Sequence, residues 1–229
     1  RKKAVAEAKQ RYLTEYAREA KKLGVAIWEP INEPDLGMPP EKYIEDVLKF
    51  QYPAVKAGNP EANFLGGSLC GLDKYRWLRR LYELGGDKFF DGVSFHPYTG
   101  NGFQEVYRSE LDEWWQVLRD FKDTSHGLWM TESAWHRGWM FNDYVYDRFN
   151  AFRQSQARHA ALMHLNAEAM AIPRDRIYDF YLVEHGYNEF FLVTYNYPTP
   201  AAIGIQVMNA CLRDAKFEKE IPLPTFGHY

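Results

Sequence analysis

The sequence predicts an α/β protein with a parallel β-sheet, because strand-like and helix-like segments alternate along its 229 residues. Short apolar runs recur, and each is followed by a segment whose apolar residues are spaced three to four apart. Glycine and proline pairs such as Pro39-Pro40 and Gly85-Gly86 separate the segments. Parallel strands need helical crossovers of this kind, so the alternation indicates helices packed on a sheet.

The first part of the chain contains a leading helix and three strand segments. An apolar stripe of Val5, Ala8, Tyr12, Tyr16, Ala20 and Leu23 marks this helix, and Gly24 ends it. The predicted elements are a helix over 1–22, a strand over Val25–Trp28, a helix from Pro39-Pro40 to Gly58, a strand over Asn63–Leu69, a helix over 73–84 and a strand over Phe89–Phe95.

The remaining elements continue the same alternation. They are a Trp-rich helix with Leu111, Trp114, Trp115, Leu118 and Phe121 on one side, a strand over Leu128–Thr131, a helix over Asp143–Met170, a strand over Ile177–Val183 and a helix over Pro200–Leu212. The apolar run Phe190–Tyr195 either extends the fifth strand or pairs beside it.

Five strand–helix units after a lone helix predict a partial barrel. A closed eight-stranded barrel would need three more strands before residue 1, so we expect the C-terminal five-eighths of a (β/α)8 TIM barrel, the first three strands lying outside this segment. Residues 1–216 would form the partial barrel domain, from helix three to helix eight, and 217–229 would begin a connection to a missing C-terminal part. An open barrel exposes apolar edges, so the remainder should come from the same precursor or another chain.

Composition and charge exclude several classes of protein. Hydrophobic residues make up 46% of the chain and charged residues 26%, and the formal net charge is −3. These values disfavour disorder and give no reason to expect a nucleic-acid partner, and no apolar run approaches the roughly 20 residues that span a bilayer. Cys70 and Cys211 are too few for a disulfide framework and are expected to be two buried free thiols.

Two glutamates are the strongest functional signal. Glu33 lies just past the apolar run Val25–Trp28, and Glu132 lies just past Leu128–Met130. A carboxylate at a buried strand end is costly unless it is used. Two of them facing one cleft suit glycoside hydrolysis, whereas the alternative is that they are helix-start or loop carboxylates.

Three motifs occur in an order that resembles a known clan. Asn32-Glu33-Pro34, His96-Pro97-Tyr98 and Thr131-Glu132 each follow a predicted strand. They are similar to the retaining glycoside hydrolases built on (β/α)8 barrels, in which the acid/base glutamate follows an asparagine at the fourth strand and the nucleophile ends the seventh. Counting the first strand here as the fourth makes Leu128–Thr131 the seventh. The string from Trp28 to Leu36 is most similar to the xylosidase and iduronidase branch.

The resemblance implies a role for each motif residue. Glu33 would be the general acid/base and Glu132 the nucleophile. Asn32 would bind the sugar 2-hydroxyl, with an Asx turn as its alternative. Tyr98 would donate its phenol proton to Glu132, and His96 would line the floor of the site. Taken singly, His96 and Tyr98 would more often be satisfied polar residues of the core.

Aromatic residues, 17% of the chain, include candidate sugar platforms. Flat rings cover the apolar faces of sugars at low entropic cost, although most aromatics should fill the core. The candidates are Trp28, which could equally be a core residue, together with Trp135 and Trp139 after the nucleophile. In the clan a tryptophan commonly ends the eighth strand; here Phe180-Tyr181 stands there, which makes Tyr181 a further candidate.

We therefore expect a retaining glycosidase for an oligosaccharide or polysaccharide, active in polysaccharide degradation without metal or cofactor, and with no membrane partner. Transglycosylation is a close variant. The rival interpretation is a non-catalytic carbohydrate-binding or scaffold barrel within a larger assembly, and a third is a metal-dependent barrel hydrolase that a chelator would inhibit. An extracellular or periplasmic location would suit polymeric glycans, but nothing in the sequence encodes the compartment.

Overall fold

The fold is described from a computed structural model of the chain. It describes residues 2–98, 107–133, 163–178, 182–183, 191–194, 197–198 and 200–219. The chain divides into two compact units, one formed by Arg1–Ser133 with Asp175–Phe180 and the other by Ala134–Arg174 with Tyr181–Tyr229. The single domain expected over 1–216 stays a prediction.

The first unit is built on a parallel sheet whose strands follow one another in chain order. Its strands are β1 (Ile27–Trp28), β2 (Asn63–Cys70), β3 (Gly92–His96) and β4 (Leu128–Met130). Each neighbouring pair is parallel. The prediction of a mixed α/β fold with a parallel sheet is therefore confirmed.

Helices connect the strands of this unit, as parallel crossovers require, and one further helix precedes β1. They are α1 (Lys2–Lys22), α2 (Pro40–Tyr43, a π-helical turn over Ile44–Leu48, and Lys49–Gly58), α3 (Tyr75–Glu83) and α4 (Tyr107–Asp120). Short 3-10 turns at Pro34–Leu36, Leu72–Lys74 and Gly86–Phe89 join strands and helices.

The core lies along the two central strands. Every residue of β3, and every residue of β2 except its first and last, is buried, so both faces of these strands are covered. The largest fully buried side chains include Trp114, Tyr43, Phe64, Phe90 and Phe95. Burial of this kind fixes the strands rigidly and gives the loops after them a stable base.

The apolar stripe predicted for α1 is mostly exposed. Tyr12 is 72% exposed and Tyr16 55%. α1 instead packs on α2 through small residues: a Cβ added at Gly58 would lie 2.2 Å from the carbonyl oxygen of Thr14 and 2.8 Å from Cβ of Ala17. The backbones approach so closely at this point that the tyrosines fall outside the contact.

The first unit ends with a short return of the chain to β4. Ile177 forms a parallel bridge with Met130, and the N–H of Tyr178 donates to the carbonyl of Met130 over 2.8 Å. The guanidinium of Arg176 lies over the Trp129 ring, 4.8 Å from its centroid. Of the strand predicted over Ile177–Val183, Ile177 forms a single bridge beside β4, whereas Leu182–Val183 belong to a different sheet.

The described residues of the second unit contain a small separate sheet. The sheet consists of β5 (Leu182–Val183), β6 (Phe191–Thr194) and β7 (Tyr197–Pro198). The described helices of this unit are a segment α5 over 163–169 and α6 (Pro200–Leu212). β6 lies parallel to β5 and antiparallel to β7, so the run over Phe190–Tyr195 pairs beside the preceding strand. The earlier part of the helix predicted over Asp143–Met170 lies outside the described residues.

The structure also bears on the two cysteines and on membrane-spanning helices. Cys211 on α6 is exposed and Cys70 is half-buried, so the prediction of two buried thiols is wrong, although both are free. None of the helices that the structure describes is long and apolar enough to cross a membrane. The partial (β/α)8 barrel itself stays a prediction.

Candidate active site

The carboxyl ends of the first unit's strands meet at one edge. The register pairs Cys70 with His96 and Phe95 with Met130, so β2, β3 and β4 end side by side. His96 is the last residue of β3, and Glu132 comes just after the end of β4. Loops that follow parallel strands therefore share one rim, and in parallel α/β sheets ligands bind outside the carboxyl ends of the strands.

The loop after β1 is pinned to the end of β2. Glu33 has a left-handed backbone (φ 46°), which is uncommon for a residue other than glycine. Its N–H donates to the carbonyl of Ser68 over 3.0 Å. Two residues on, Oδ1 of Asp35 accepts the N–H of Cys70, also over 3.0 Å. These two bonds hold the strained turn and direct the Glu33 side chain to the rim.

The carboxylates of Glu33 and Glu132 converge on His96. One oxygen of each carboxylate and a ring nitrogen of His96 all lie within 4.8 Å of one another. Nδ1 of His96 is 2.9 Å from Oε1 of Glu33 and 3.6 Å from Oε2 of Glu132. The His96 side chain is 1% exposed, whereas those of Glu33 and Glu132 are 17% and 21% exposed. The imidazole thus forms a buried floor beneath two carboxylates that solvent and solutes can reach.

Tyr98 holds the second carboxylate. Its hydroxyl donates to Oε1 of Glu132 over 2.6 Å, a short bond of the charge-assisted kind. Burial, together with this hydrogen bond and the charge of Glu132, raises the pKa of Tyr98. The phenol therefore keeps its proton at neutral pH and remains a donor.

Loops from the outer strands of this sheet touch each other. The hydroxyl of Thr131, after β4, donates to Oε1 of Glu29, after β1, over 2.8 Å. In a flat sheet, strands three positions apart would lie about 14 Å from each other. The sheet and the loops beyond its outer strands must therefore curve inward, and this curvature brings Glu33 to Glu132.

Three neighbours of this pair were missed by sequence reasoning. Ser68 places its hydroxyl 3.1 Å from Nε2 of His96. Burial and a hydrogen bond to Glu33 raise the pKa of the Cys70 thiol to about 12. Asp35 has one carboxylate oxygen buried without a hydrogen-bond partner, and burial raises the pKa of this group. The signal for Ser68 and Cys70 was their position at the end of a strongly apolar strand.

The other predicted site residues stand as follows. Asn32 is exposed in the bend before Glu33. Trp28 is half-buried, and Tyr16 meets its ring edge-on with 5.7 Å between the centroids. The indole N–H of Trp28 is buried without a hydrogen-bond partner. Trp135, Trp139 and Tyr181 lie outside the described residues. Substrate binding by all five stays a prediction.

Two other chemistries would use some of the same side chains. Ser68, His96 and Glu33 have the side-chain types of an acyl-transfer triad, but Ser68 is 1% exposed, so its hydroxyl cannot reach a substrate carbonyl. Glu33, His96 and Glu132 could also converge on a cation. Nδ1 of His96, however, already lies at hydrogen-bonding distance from Glu33, so a metal would have to displace that bond.

Comparisons with known proteins locate the chain by fold alone. No protein-family model matches it, and no curated protein matches it in sequence. Several solved structures, however, align with it in fold. A GH39 β-xylosidase from Caulobacter crescentus aligns with a TM-score of 0.61 at 15% identity, over 90% of this chain and 47% of that chain.

Two other glycoside hydrolases align as well. A GH128 endo-β-1,3-glucanase from Amycolatopsis mediterranei, in complex with laminaritriose, has a TM-score of 0.52 at 16% identity, over 80% of this chain and 72% of that one. A GH2 β-galacturonidase from Eisenbergiella tayi has a TM-score of 0.54 at 16% identity, over 86% of this chain and 35% of that one.

These neighbours place the chain among proteins with a glycoside-hydrolase-like fold. The chain spans about half the length of the xylosidase. The fold is mixed α/β with a parallel sheet, similar to that of barrel glycoside hydrolases. At 14–16% identity the likeness concerns the fold, and the branch suggested by the string from Trp28 to Leu36 stays a prediction.

Proposed function

We propose that this protein is a retaining glycoside hydrolase. The observation that carries the proposal is the approach of Glu33 and Glu132, whose nearest oxygens lie within 4.8 Å of each other. Retaining enzymes hold their two carboxyl groups about 5–5.5 Å apart, whereas inverting enzymes need about 6.5–9.5 Å to admit a water molecule. The short separation therefore supports direct attack by one carboxylate.

In the first step Glu132 attacks the anomeric carbon and forms a glycosyl ester. The glycosidic C–O bond breaks, and Glu33 gives its proton to the departing oxygen. The hydrogen bond from Tyr98 supports this assignment, because a carboxylate that accepts a short hydrogen bond from a phenol is held in a fixed orientation for attack. Glu33 faces Nδ1 of His96 and the Cys70 thiol instead, in a setting suited to a group that alternates between acid and base.

In the second step water replaces the enzyme at the anomeric carbon. The Glu33 carboxylate takes a proton from the water, whose oxygen forms the new bond while the bond to Glu132 breaks. Two displacements at the same carbon restore its configuration. A sugar hydroxyl in place of water would give transglycosylation.

The substrate is an oligosaccharide or polysaccharide. Asn32 would bind the sugar 2-hydroxyl, and Trp28, Trp135, Trp139 and Tyr181 would offer stacking surfaces. The fold neighbour solved in complex with laminaritriose supports a glycan ligand. No step requires a metal or an organic cofactor.

We also propose that further barrel strands lie beyond β1. β1 is the first strand in the sheet order, and Tyr12 and Tyr16 beside it are exposed. Exposed aromatic surface next to an edge strand favours a covering partner. The remaining strands would come from the same precursor or another chain, and the 47% coverage of the xylosidase is consistent with this.

The test replaces each glutamate separately. Glu132→Ala should lower turnover of aryl glycosides by more than about 10³-fold while sugar binding persists. Glu33→Ala should turn over activated aryl glycosides, regain rate with azide, and release a glycosyl azide of retained configuration. Glu83→Gln, a surface carboxylate paired with Arg80, is the matched control and should leave activity unchanged.

Three results would contradict the proposal. Full activity of Glu132→Ala would mean that another group attacks. Sugar binding without turnover by the unaltered protein would favour the carbohydrate-binding or scaffold barrel. Loss of activity with a chelator, restored by added divalent metal, would favour a metal-dependent hydrolase.

A further inference from the structure

Ser68 occupies an unusual position at the end of β2. Its backbone is left-handed (φ 53°), and Gly67 before it has φ 114°. The pairing of β2 with β3 changes register between Gly67 and Leu69, so the strand bulges here. Bulges redirect side chains and are common beside active sites, and strain of this kind persists only where surrounding contacts enforce it.

Ser68 contacts the proposed acid/base residue by two routes. Its carbonyl accepts the N–H of Glu33 over 3.0 Å. Its hydroxyl lies 3.1 Å from Nε2 of His96, whose Nδ1 is 2.9 Å from Oε1 of Glu33. The N–H of Ser68 is itself fixed by Oγ of Ser94 over 2.8 Å. One buried residue thus holds both the backbone and the side chain of Glu33.

The hydroxyl suits this task because it both donates and accepts hydrogen bonds. When Glu33 carries a proton, its O–H can donate to Nδ1, and the proton on Nε2 is then donated to Oγ of Ser68. When Glu33 is ionised and Nδ1 carries the proton, Nε2 can accept from the hydroxyl. Nε2 has a partner in either tautomer, so the ring need not turn when Glu33 changes its protonation state.

We propose that Ser68 is a positioning residue for the acid/base step: through its hydroxyl and carbonyl it keeps Nδ1 of His96 against the Glu33 carboxyl in both protonation states. The inference rests on the proposed function. Ser68 is 1% exposed and acts only through other groups.

Other ionisable groups face the same pair. Glu132 lies 3.6 Å from Nδ1 of His96, and the Tyr98 ring meets the imidazole edge-on with 6.3 Å between the centroids. The Cys70 thiol bonds to Glu33. The Ser68 hydroxyl lies 3.1 Å from Nε2 itself, so the pH response of a Ser68 variant should arise from loss of the hydroxyl.

The test uses Ser68→Gly and Ser68→Ala. Glycine removes the hydroxyl and favours the positive φ, so this variant should fold even if the alanine variant does not. We expect kcat/KM, which reports the first displacement, to fall about tenfold for aryl glycosides with poor leaving groups, which need the acid, and to change little for 2,4-dinitrophenyl glycosides, which do not. The pH profile of kcat/KM should shift for the poor leaving groups. Ser125→Ala removes a hydroxyl that bonds to Asp123, outside this network, and should leave the leaving-group dependence unchanged.

A second measurement needs no turnover. Nitrogen-15 NMR of the imidazoles, with His96 assigned by comparison with His96→Gln, should show altered ring signals for His96 in Ser68→Gly. Unaltered His96 signals, or an equal loss for good and poor leaving groups, would overturn the role of Ser68. Inactivity of the unaltered protein on every glycoside would contradict the proposed function, and the NMR result would still decide whether Ser68 holds His96.

Discussion

The Tyr98 hydroxyl lies 2.6 Å from Oε1 of Glu132, so a residue just beyond β3 fixes a carboxylate just beyond β4. The two strands are neighbours in the sheet, and their loops leave it at the same edge. The phenol is the donor because burial and the carboxylate both favour its protonated form. The rim of the site is thus ordered by contacts between adjacent strand ends.

Removal of this donor should slow the proposed reaction. Tyr98→Phe should lower kcat about 10- to 100-fold, because a hydrogen bond to a charged group is worth ~1.5–3 kcal/mol. The measurement is kcat with an aryl glycoside. Tyr178→Phe, in which an exposed phenol loses a bond to the Asp175 carbonyl, is the control and should be unaffected. Equal activity of Tyr98→Phe and the unaltered protein would show that Glu132 needs no donor.

The two free thiols should react very differently. Burial and the bond to Glu33 raise the pKa of Cys70 to about 12, whereas Cys211 is exposed. Since the thiolate is the reactive form, iodoacetamide at pH 8 should label Cys211 in the folded protein and spare Cys70. Peptide mass spectrometry after brief labelling checks this, and urea should make both sites reactive. Rapid native labelling of Cys70 would contradict the buried contact with Glu33.

In acid, the free energy of unfolding should depend on whether the Asp123 carboxyl is ionised. Burial alone would raise the pKa of Asp123, but hydrogen bonds from Tyr82, His126 and Ser125 outweigh it and hold this pKa well below its usual range. A lowered folded-state pKa stabilises the protein above the unfolded-state value of about 4, and this contribution is lost as the pH falls through the folded-state pKa.

Asp123→Asn should therefore cost about 1–3 kcal/mol at pH 7 and progressively less below pH 4. Urea unfolding between pH 2 and pH 7 measures the difference. Asp112→Asn, whose carboxylate is 61% exposed and pairs with Arg119, is the control and should show a much smaller difference. A constant difference between Asp123→Asn and the unaltered protein at every pH would contradict the expected linkage.

The bulge in β2 should not tolerate a side chain at Gly67. Its φ of 114° is strained for other residues, and an added Cβ would lie 2.5 Å from the carbonyl oxygen of Ser94. The opposing atom is backbone in the central strand pair, so it cannot move away cheaply. Gly67→Ala should lose about 2–4 kcal/mol of unfolding free energy. Gly37→Ala is the control, because an added Cβ there meets nothing within 4 Å.

Local patterns allowed much of the fold to be predicted. Alternating strand and helix segments indicated a parallel sheet. The strand predicted to end at Trp28 ends there in the structure, and those predicted to end at Phe95 and Thr131 end one residue away, at His96 and Met130. Burial of α1 could not be predicted in the same way. Its apolar stripe has helical spacing, but the close approach of Gly58 to Ala17 selects the face that packs, and that approach depends on a distant helix.

The residues of the candidate site were likewise only partly predictable from the sequence. Glu33 and Glu132 could be singled out because each follows an apolar run, and Tyr98 because it belongs to a motif at a strand end. Ser68 carries no such pattern, since a serine after two glycines is common in turns. Its importance comes from a left-handed backbone and from His96, contributed by the neighbouring strand.

The sequence by itself determined the order of the strands and which carboxylates follow them, because both depend on residues near one another in the chain. Only the tertiary structure decided that Glu33 and Glu132 face each other over a buried imidazole, with Ser68 beneath it. That arrangement depends on the curvature of the sheet and on contacts between residues far apart in sequence. The free energy of these contacts belongs to the folded chain as a whole and has no local signature.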